Sequence, residues 1–495
     1  MRTPFFLVLA VLGGCPAERI EGTEPGDCSD GADNDADGLF DCDDDGCAGS
    51  PDCEGEGDTD TDADTDTDTD TDADGDADAD SDADADSDAD TDDTGTITAD
   101  CVVATDGSGD STTIQGCIDR ASDGWDILVR PGSYEEHLDL GDRELTIRSS
   151  SGASSTALDA GGIGSILVLD TGEELVLEGF TLRGGYGTTP PDHSYGSGGV
   201  AFLDGGSLTL REVVANSNTV SGSGGVVYAA DGHLELIDSS FAANRALSGG
   251  VAMMRGGTDI VVSGCTFMGN ATASNGNGGA LSLYQADASI TDSTFAANTA
   301  LYGSAVSFLP HGQSLEITHA TFTQQTGAIE AGCGSDYAGD VTISNSIFSN
   351  SGEAISVNGP SASIVNNVFI DLTGSALVRE NGSVDVLNSI FYANGSSCVL
   401  TGGGMQVRYS LFAANSGSFC GGASNPVGGN GNLGDDPLFA AWYDDNDATN
   451  DVLTLQAGSP AIDAGYASVT YNDVDGSRND MGAFGGPAGS WTPRW

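Results

Sequence analysis

The chain has 495 residues, enough for more than one domain, and a formal net charge of −63. All 14 basic residues are Arg, so long-range repulsion excludes nucleic acid and anionic lipid as partners and makes divalent cations the natural ones. Glycine reaches 73 residues without a collagen-type period, so its abundance needs another structural explanation.

In chain order, the first element is Met1-Arg2 followed by an apolar run from Phe5 to Leu12 and then Leu12-Gly13-Gly14-Cys15. A short basic start before a short apolar core predicts an export signal over residues 1–14, too short to span a bilayer. "LGGC" resembles the lipobox of bacterial lipoproteins. That resemblance implies cleavage before Cys15, lipidation of its thiol and, with Pro16 rather than Asp next, sorting to the outer membrane. The membrane is then touched through this lipid only, and the protein is expected at the cell surface.

Setting Cys15 aside leaves ten cysteines, an even number in an exported chain, and predicts disulfides. Cys28, Cys42, Cys47 and Cys53 cluster within a module spanning 15–57. Zinc is the alternative for that cluster, although its spacing is not that of paired CxxC knuckles. Cys101 and Cys117 bracket one short segment, whereas Cys265 and Cys333 have no partner evident from spacing. Within the module, Asp33, Asp35, Asp37, Gly38, Asp41 and Asp44 stand at relative positions 1, 3, 5, 6, 9 and 12. Alternate side chains of a tight loop at this spacing converge on one hard cation, so calcium is the expected cofactor. Asp replaces Glu at position 12, no amphipathic helix flanks the loop and Cys42 lies inside it. The segment is similar to the short Asp- and Cys-rich metal-binding motifs of bacterial surface proteins. The competing reading is a disulfide-stapled acidic knot with weak calcium affinity.

Residues 58–98 are dominated by Asp alternating with Thr, Ala, Ser or Gly. No core can be built from charged residues and small partners, which predicts a disordered, self-repelling stalk. Fully extended, its regular part reaches at most about 120 Å at ~3.3 Å per residue.

Residues 99–434 carry a repeat. Phe recurs at 241, 267, 295, 322, 348, 369, 391 and 412. Five residues before each stands an aliphatic: Leu236, Val262, Ile290, Ile317, Ile343, Ile364, Val386 and Val407. Another apolar residue stands seven before, as at Leu234, Ile260, Leu315, Val341 and Val384; Leu182 fits the template with Leu177 and Leu175, and Val214 fits loosely. Apolar residues two apart mark one face of a strand. One strand per repeat cannot bury its face alone, but stacked coils can. Asn244, Asn270, Asn298, Asn394 and Asn415, three after the Phe, are then placed for a hydrogen-bonded ladder, and Gly pairs precede a second short strand. The expected fold is all-β, a right-handed parallel β-helix of ten or eleven turns, roughly 50 Å long at ~4.8 Å per turn. In that stacking Cys398 and Cys420 fall about one rung apart, within disulfide reach.

"FAAN", "FMGN" and "GGAL" are similar to the FxxN and GGA repeats of polymorphic membrane proteins. The stretch 113–149 resembles the start of pectate-lyase-like β-helices. This likeness implies that a small helix bearing Ile114, Cys117, Ile118 and Ala121 covers the open end of the first coil. Residues 435–495, with "DDPLF", "AGSPAIDAG" and "NDMGAFGG", resemble a choice-of-anchor module and are expected to cap the last coil's edge.

No catalytic residue can be assigned. Lys is absent, as is an RIK-type motif, and the Gly434-Asp435-Asp436 run lies outside the coils. Asp238 and Asp292 share a repeat position but stand two rungs apart across Gly264, roughly 9–10 Å, at the edge for an inverting pair. Arg183, Arg211, Arg245 and Arg255 are available as bases. Asp473, Asp475 and Gly476 form one weak calcium-type motif, more often a turn. Two functions follow: a monomeric, non-enzymatic surface protein that binds polysaccharide or a cell-surface component or serves structurally, or a polysaccharide lyase or hydrolase.

Overall fold

The computed structural model describes residues 99–494 apart from 171, 190–194, 274, 396–397, 444 and 446. The lipobox with Cys15, the module with Cys28, Cys42, Cys47, Cys53, Asp33, Asp35, Asp37, Asp41 and Asp44, and the Asp-rich stretch all lie outside the described residues. Among the described residues no helix is long and apolar enough to cross a membrane.

The described chain is a right-handed parallel β-solenoid of about eleven turns. Each turn contributes strands to three faces. Sheet 1 holds the strands that follow the Gly pairs, such as Ala252–Arg255 and Leu281–Tyr284. Sheet 2 holds the aliphatic strands, and sheet 3, with twelve strands, holds the Phe strands. The eleven-residue strands Ala201–Arg211 and Val227–Ile237 run through both sheet 1 and sheet 2. The aliphatic column pairs rung to rung as the period requires: Leu236↔Val262↔Ile290↔Ile317↔Ile343↔Ile364↔Val386↔Val407.

The Phe column stacks from Phe241 to Phe412 with ring centroids 4.4–5.2 Å apart, matching the spacing of adjacent strands. Val214 is one residue out of step. Ala215 pairs with both Leu182 and Phe241 and so takes the inward position, and a one-residue slip reverses a strand's faces.

The Asn ladder is buried and continuous over four coils. Nδ2 of Asn218 donates to Oδ1 of Asn244 (3.1 Å), Asn244 to Asn270 (3.0 Å) and Asn270 to Asn298 (3.0 Å). Each amide also donates to a strand carbonyl, as Asn270 does to Phe241 O at 2.9 Å. A second ladder segment joins Asn394 to Asn415 at 2.9 Å.

At the N-terminal end, helix α1 (Ile114–Ile118) buries Ile114, Cys117 and Ile118 against the first coil, with Ala121 buried beside it. The Thr113 hydroxyl caps it by accepting from Gly116 N at 3.1 Å, and the Glu136 carboxylate accepts from Ile114 N and Gln115 N, each at 2.9 Å. A Cys101–Cys117 disulfide ties it down, with Cα atoms 5.9 Å apart. At the other end Cys398 and Cys420 are bridged, with Cα atoms 5.7 Å apart. Cys265 is a buried free thiol that burial pushes up to about 12, and Cys333 is disulfide-bonded.

The C-terminal segment departs from the expected end cap. Residues of the 421–434 loop bond to the last coil's edge: Tyr409 N donates to Asn430 O, and Phe412 N to Leu433 O, both at 3.0 Å. Residues beyond 435 instead fold back onto the outer face of sheet 3. There Phe439, Leu453, Ala461, Met481 and Ala483 form a second core with Ile347, Val368, Ile370, Ile390 and Leu411. Burial decides this placement: the last four Phe strands carry apolar residues outside as well as inside, so that face must be covered.

Candidate functional site

The carboxylates singled out by the repeat serve the C-terminal segment. Asp238 lies 3.6 Å from the Arg494 guanidinium, and Asp292 lies 3.3 Å from His319 Nδ1. His319 Nε2 is 2.7 Å from Ala488 O, and its ring stacks on Trp491 at 5.2 Å. In the same column Asn345 donates to Ala483 O (3.1 Å) and Gly485 O (2.7 Å), and Asn366 to Asp480 O (2.9 Å) and Gly482 O (3.1 Å). These Asn residues are chiefly docking groups rather than a ladder, since one weak amide contact, Asn388 to Asn366 at 3.4 Å, links neighbouring coils.

Three of the four candidate arginines are similarly engaged, and Arg245 is exposed on the short strand Arg245–Ala246. Arg183 pairs with Asp159 at 2.8 Å, Arg211 with Glu178 at 3.5 Å, and Arg255 lies over Tyr284. Asp475 closes a turn on Ser477 N at 2.9 Å, and Asp473 accepts from Asp480 N at 3.0 Å, so this pair shapes a loop. Burial and the neighbouring Asp473 and Asp463 push Asp480 up to about 6. Among the described residues, no group of three or more His, Cys, Asp or Glu is placed to hold a metal ion.

A different group of side chains gathers on the outer face of sheet 1 and the turn beside it. The Arg255 guanidinium carbon is 5.8 Å from the Tyr284 ring centroid on the next rung. The Tyr284 and His311 rings meet edge-on at 5.8 Å, and His311 and Tyr337 meet at 5.1 Å. Gln285 Nε2 steadies His311 Nδ1 at 3.4 Å. Four consecutive coils thus each present one aromatic or cationic group at the same edge. His311 is exposed, and Tyr284 and Tyr337 are partly exposed.

Carboxyl groups lie on the same sheet and the coils that follow. The outward column of sheet 1 runs Ser282↔Ser307↔Glu330↔Ser356↔Val378. Alternation puts Glu330 outside because Ile329 and Ala331, on either side, face the core. Ser356 Oγ donates to Glu330 Oε1 at 3.2 Å. Glu353 opens the next strand, opposite Gly327 at the far edge of the sheet, and Glu380 directly follows the strand Leu377–Arg379, where its Oε2 accepts from Asn358 Nδ2 at 2.7 Å. Asn381 Nδ2 in turn donates to Asn358 Oδ1 at 2.7 Å.

Burial, reinforced by Glu353 and then Glu380, pushes the Glu330 carboxyl up to about 8. Burial and Glu380 push Glu353 up to about 7. No arginine offsets this: Arg379, next to Glu380, spends its guanidinium on Gly382 O (2.7 and 2.9 Å) and Gly403 O (2.5 Å). Near neutral pH Glu330 is therefore largely protonated and can donate a hydrogen bond.

None of Tyr284, His311, Tyr337, Glu330, Glu353 or Glu380 was singled out from the sequence. They stand at irregular intervals because the turns between sheets differ in length. Glu330 had a legible signal, as an acidic residue between Ser307 and Ser356 in its column.

The family model for the right handed beta helix region matches residues 166–338. The solenoid contains a right-handed β-helix region. Among solved structures, the PL6 family polysaccharide lyase Pedsa3628 from Pseudopedobacter saltans is 15% identical. That match covers 65% of this chain and 90% of the lyase, with a TM-score of 0.48. The pectate lyase Pel9A is 16% identical, with 78% of this chain and 97% of that one covered and a TM-score of 0.39. No curated protein sequence matches this chain.

Proposed function

We propose that this protein is a surface-held β-helix that binds an extended polysaccharide along the outer edge of sheet 1. One observation carries the reading: Arg255, Tyr284, His311 and Tyr337 form a continuous array over four consecutive coils on a partly exposed edge. Rigid aromatic rings at rung spacing offer faces for sugar rings, and the exposed Glu380 and Asn381 further along offer hydrogen bonds to hydroxyls. The test is a glycan array on the full chain, with and without calcium. Binding that disappears in His311→Ala/Tyr337→Ala supports the reading, and unchanged binding in that variant removes it.

Polysaccharide hydrolysis is the second reading. It is favoured by Glu330, which holds a proton near neutral pH beside carboxyl groups on the following coils, as a general acid and base would require. Release of reducing ends from any bound glycan, abolished in Glu330→Gln, would establish it.

The lipobox at Cys15 is the basis for proposing attachment to the outer membrane, with the Asp-rich stretch as the stalk. The Asp33–Asp44 spacing is the basis for proposing calcium in the N-terminal module. Calorimetry comparing the full chain with Asp33→Asn/Asp35→Asn/Asp37→Asn would show the difference in calcium uptake.

A further inference from the structure

A second group of aromatic rings lies away from sheet 1, where the C-terminal segment meets the outer face of sheet 3. Phe391 faces the core, so alternation turns its neighbour Tyr392 outward on the strand Ile390–Tyr392. The strand Phe439–Ala441 and the residue after it bring up two further rings. The Tyr392 ring stands at 89° to Phe439, with centroids 5.6 Å apart, and at 88° to Trp442, with centroids 5.1 Å apart. The three rings do not fill the space among them: with Asp436, Leu438 and Gln456 they line a cleft of about 200 Å³. Its walls are fixed from behind. Trp442 Nε1 donates to Asp371 Oδ2 at 2.7 Å, which spends the only indole donor on the solenoid, and Gln456 Nε2 donates to Phe439 O at 2.7 Å. Leu438 is exposed at the rim.

The cleft is negative as well as aromatic. Asp436 lines it, Asp371 holds its indole, and among the described residues no Arg belongs to its lining. Burial, then Asp436 and Asp371, push the Tyr392 phenol up, so both carboxylates act on that ring. We propose that this cleft binds an alkylated ammonium group, with its alkyl groups against Tyr392, Phe439 and Trp442 and its charge toward Asp436. Ring faces attract a cation through their quadrupole, and the attraction grows where water is displaced. The volume decides the scale of the ligand: about 200 Å³ falls below the ~300–1,000 Å³ of sites for drug-sized molecules, so a head group fits and an oligosaccharide does not. The hydrogen bonds decide its alkylation. A primary ammonium must satisfy three N–H donors. Here Asp436 Oδ1 already accepts from Leu438 N at 2.9 Å, and Phe439 O already accepts from Gln456. A fully alkylated nitrogen has no N–H to satisfy and uses the ring faces instead. An anion would meet the Asp436 carboxylate. The site stands apart from the glycan strip and does not depend on it.

The experiment is a ligand-observed NMR titration of the full chain at neutral pH and moderate salt. The probes are choline and 3,3-dimethylbutan-1-ol, which has the same shape with carbon in place of the charged nitrogen. The expected result is at least ~10-fold tighter binding of choline. Tyr392→Leu should remove that preference and Tyr392→Phe should keep it, because the ring face and not the hydroxyl meets the cation. Asp436→Asn, which can still accept from Leu438 N, should weaken choline severalfold and leave the alcohol unchanged. Denaturation midpoints of the three variants are measured alongside, so that loss of the fold is not read as loss of the site. A preference for choline that survives in folded Tyr392→Leu comes from the acidic chain at large and overturns the assignment. Equal binding of the two probes to the parent, or binding of neither, overturns it as well.

Discussion

Asn270 is the most exacting test of how the coils are held together. It is fully buried in the ladder. Its Nδ2 donates to Phe241 O at 2.9 Å and Asn298 Oδ1 at 3.0 Å, while its Oδ1 accepts from Asn244 N and Asn244 Nδ2, both at 3.0 Å. Asn270→Ala removes all four bonds at once. Asn298 Oδ1 keeps the Asn270 backbone N–H, and Asn244 Nδ2 keeps Ala215 O, so these two lose only part of their bonding. Phe241 O and Asn244 N lose these partners inside a site that water does not reach. At ~1–3 kcal/mol for each orphaned buried group, with a small cavity added, the expected cost is ~3–5 kcal/mol. Asn415 is the control, since it ends the second ladder segment and is half-buried. There water can replace the lost partner, and Asn415→Ala should cost ~1 kcal/mol or less. Equilibrium denaturation of both variants, with unchanged m-values, reads the difference. Equal midpoints for the two, or a loss below ~1 kcal/mol at Asn270, would refute the claim that the ladder holds the coils.

Four further outcomes are expected. Burial raises Glu330 from 4.5 to about 8, so the folded state binds its proton more tightly, and this contribution is complete below pH 4.5 and lost as pH rises through about 8. Glu330→Gln should therefore flatten the fall in stability over that window and exceed the parent by ~1–2 kcal/mol above it, once solvent around the partly exposed side chain is allowed for; superimposable pH profiles would sink this account. Cys398→Ala/Cys420→Ala opens a bridge spanning 22 residues and should cost ~3 kcal/mol in the chain-entropy model, with faster amide exchange confined to residues 398–434. Ile390→Ser cuts into the second core that Ile390 shares with Met481 and should cost ~2–4 kcal/mol there, so that limited proteolysis frees the C-terminal segment from a still-folded solenoid. Cys15→Ala should move the protein from the membrane pellet to the soluble fraction, and a variant that stays in the pellet rules out the lipid anchor.

The fold was legible because its determinant is periodic. The Phe column and the aliphatics five and seven residues earlier mark the inward positions of strands in two sheets, and stacking needs no information beyond that alternation. The disulfide between Cys398 and Cys420 followed from the same register. The seat of the C-terminal segment was also written in the chain but was not read. The residue immediately before Phe is Ser240, Thr266, Thr294 and Thr321 in the earlier coils, then Ile347, Val368, Ile390 and Leu411 in the later ones. That switch marks where an outer face becomes a buried one.

The coil, its inward columns and its Asn ladder are encoded along the chain, because each depends on similar neighbours one period away. Where the non-periodic residues meet depends on the folded coil. His311 and Tyr337 come from turns of different length, and Glu330, Glu353 and Glu380 occupy different positions within their strands. No interval in the chain links them. They become neighbours because the solenoid advances about one strand spacing per turn, which brings residues some 25 positions apart within side-chain reach. The same advance carries Asp238 and Asp292 to the ridge where the returning C-terminal segment supplies Arg494 and stacks Trp491 on His319. Their partners come from the far end of the chain, a pairing that depends on how that segment folds back and that no local pattern encodes.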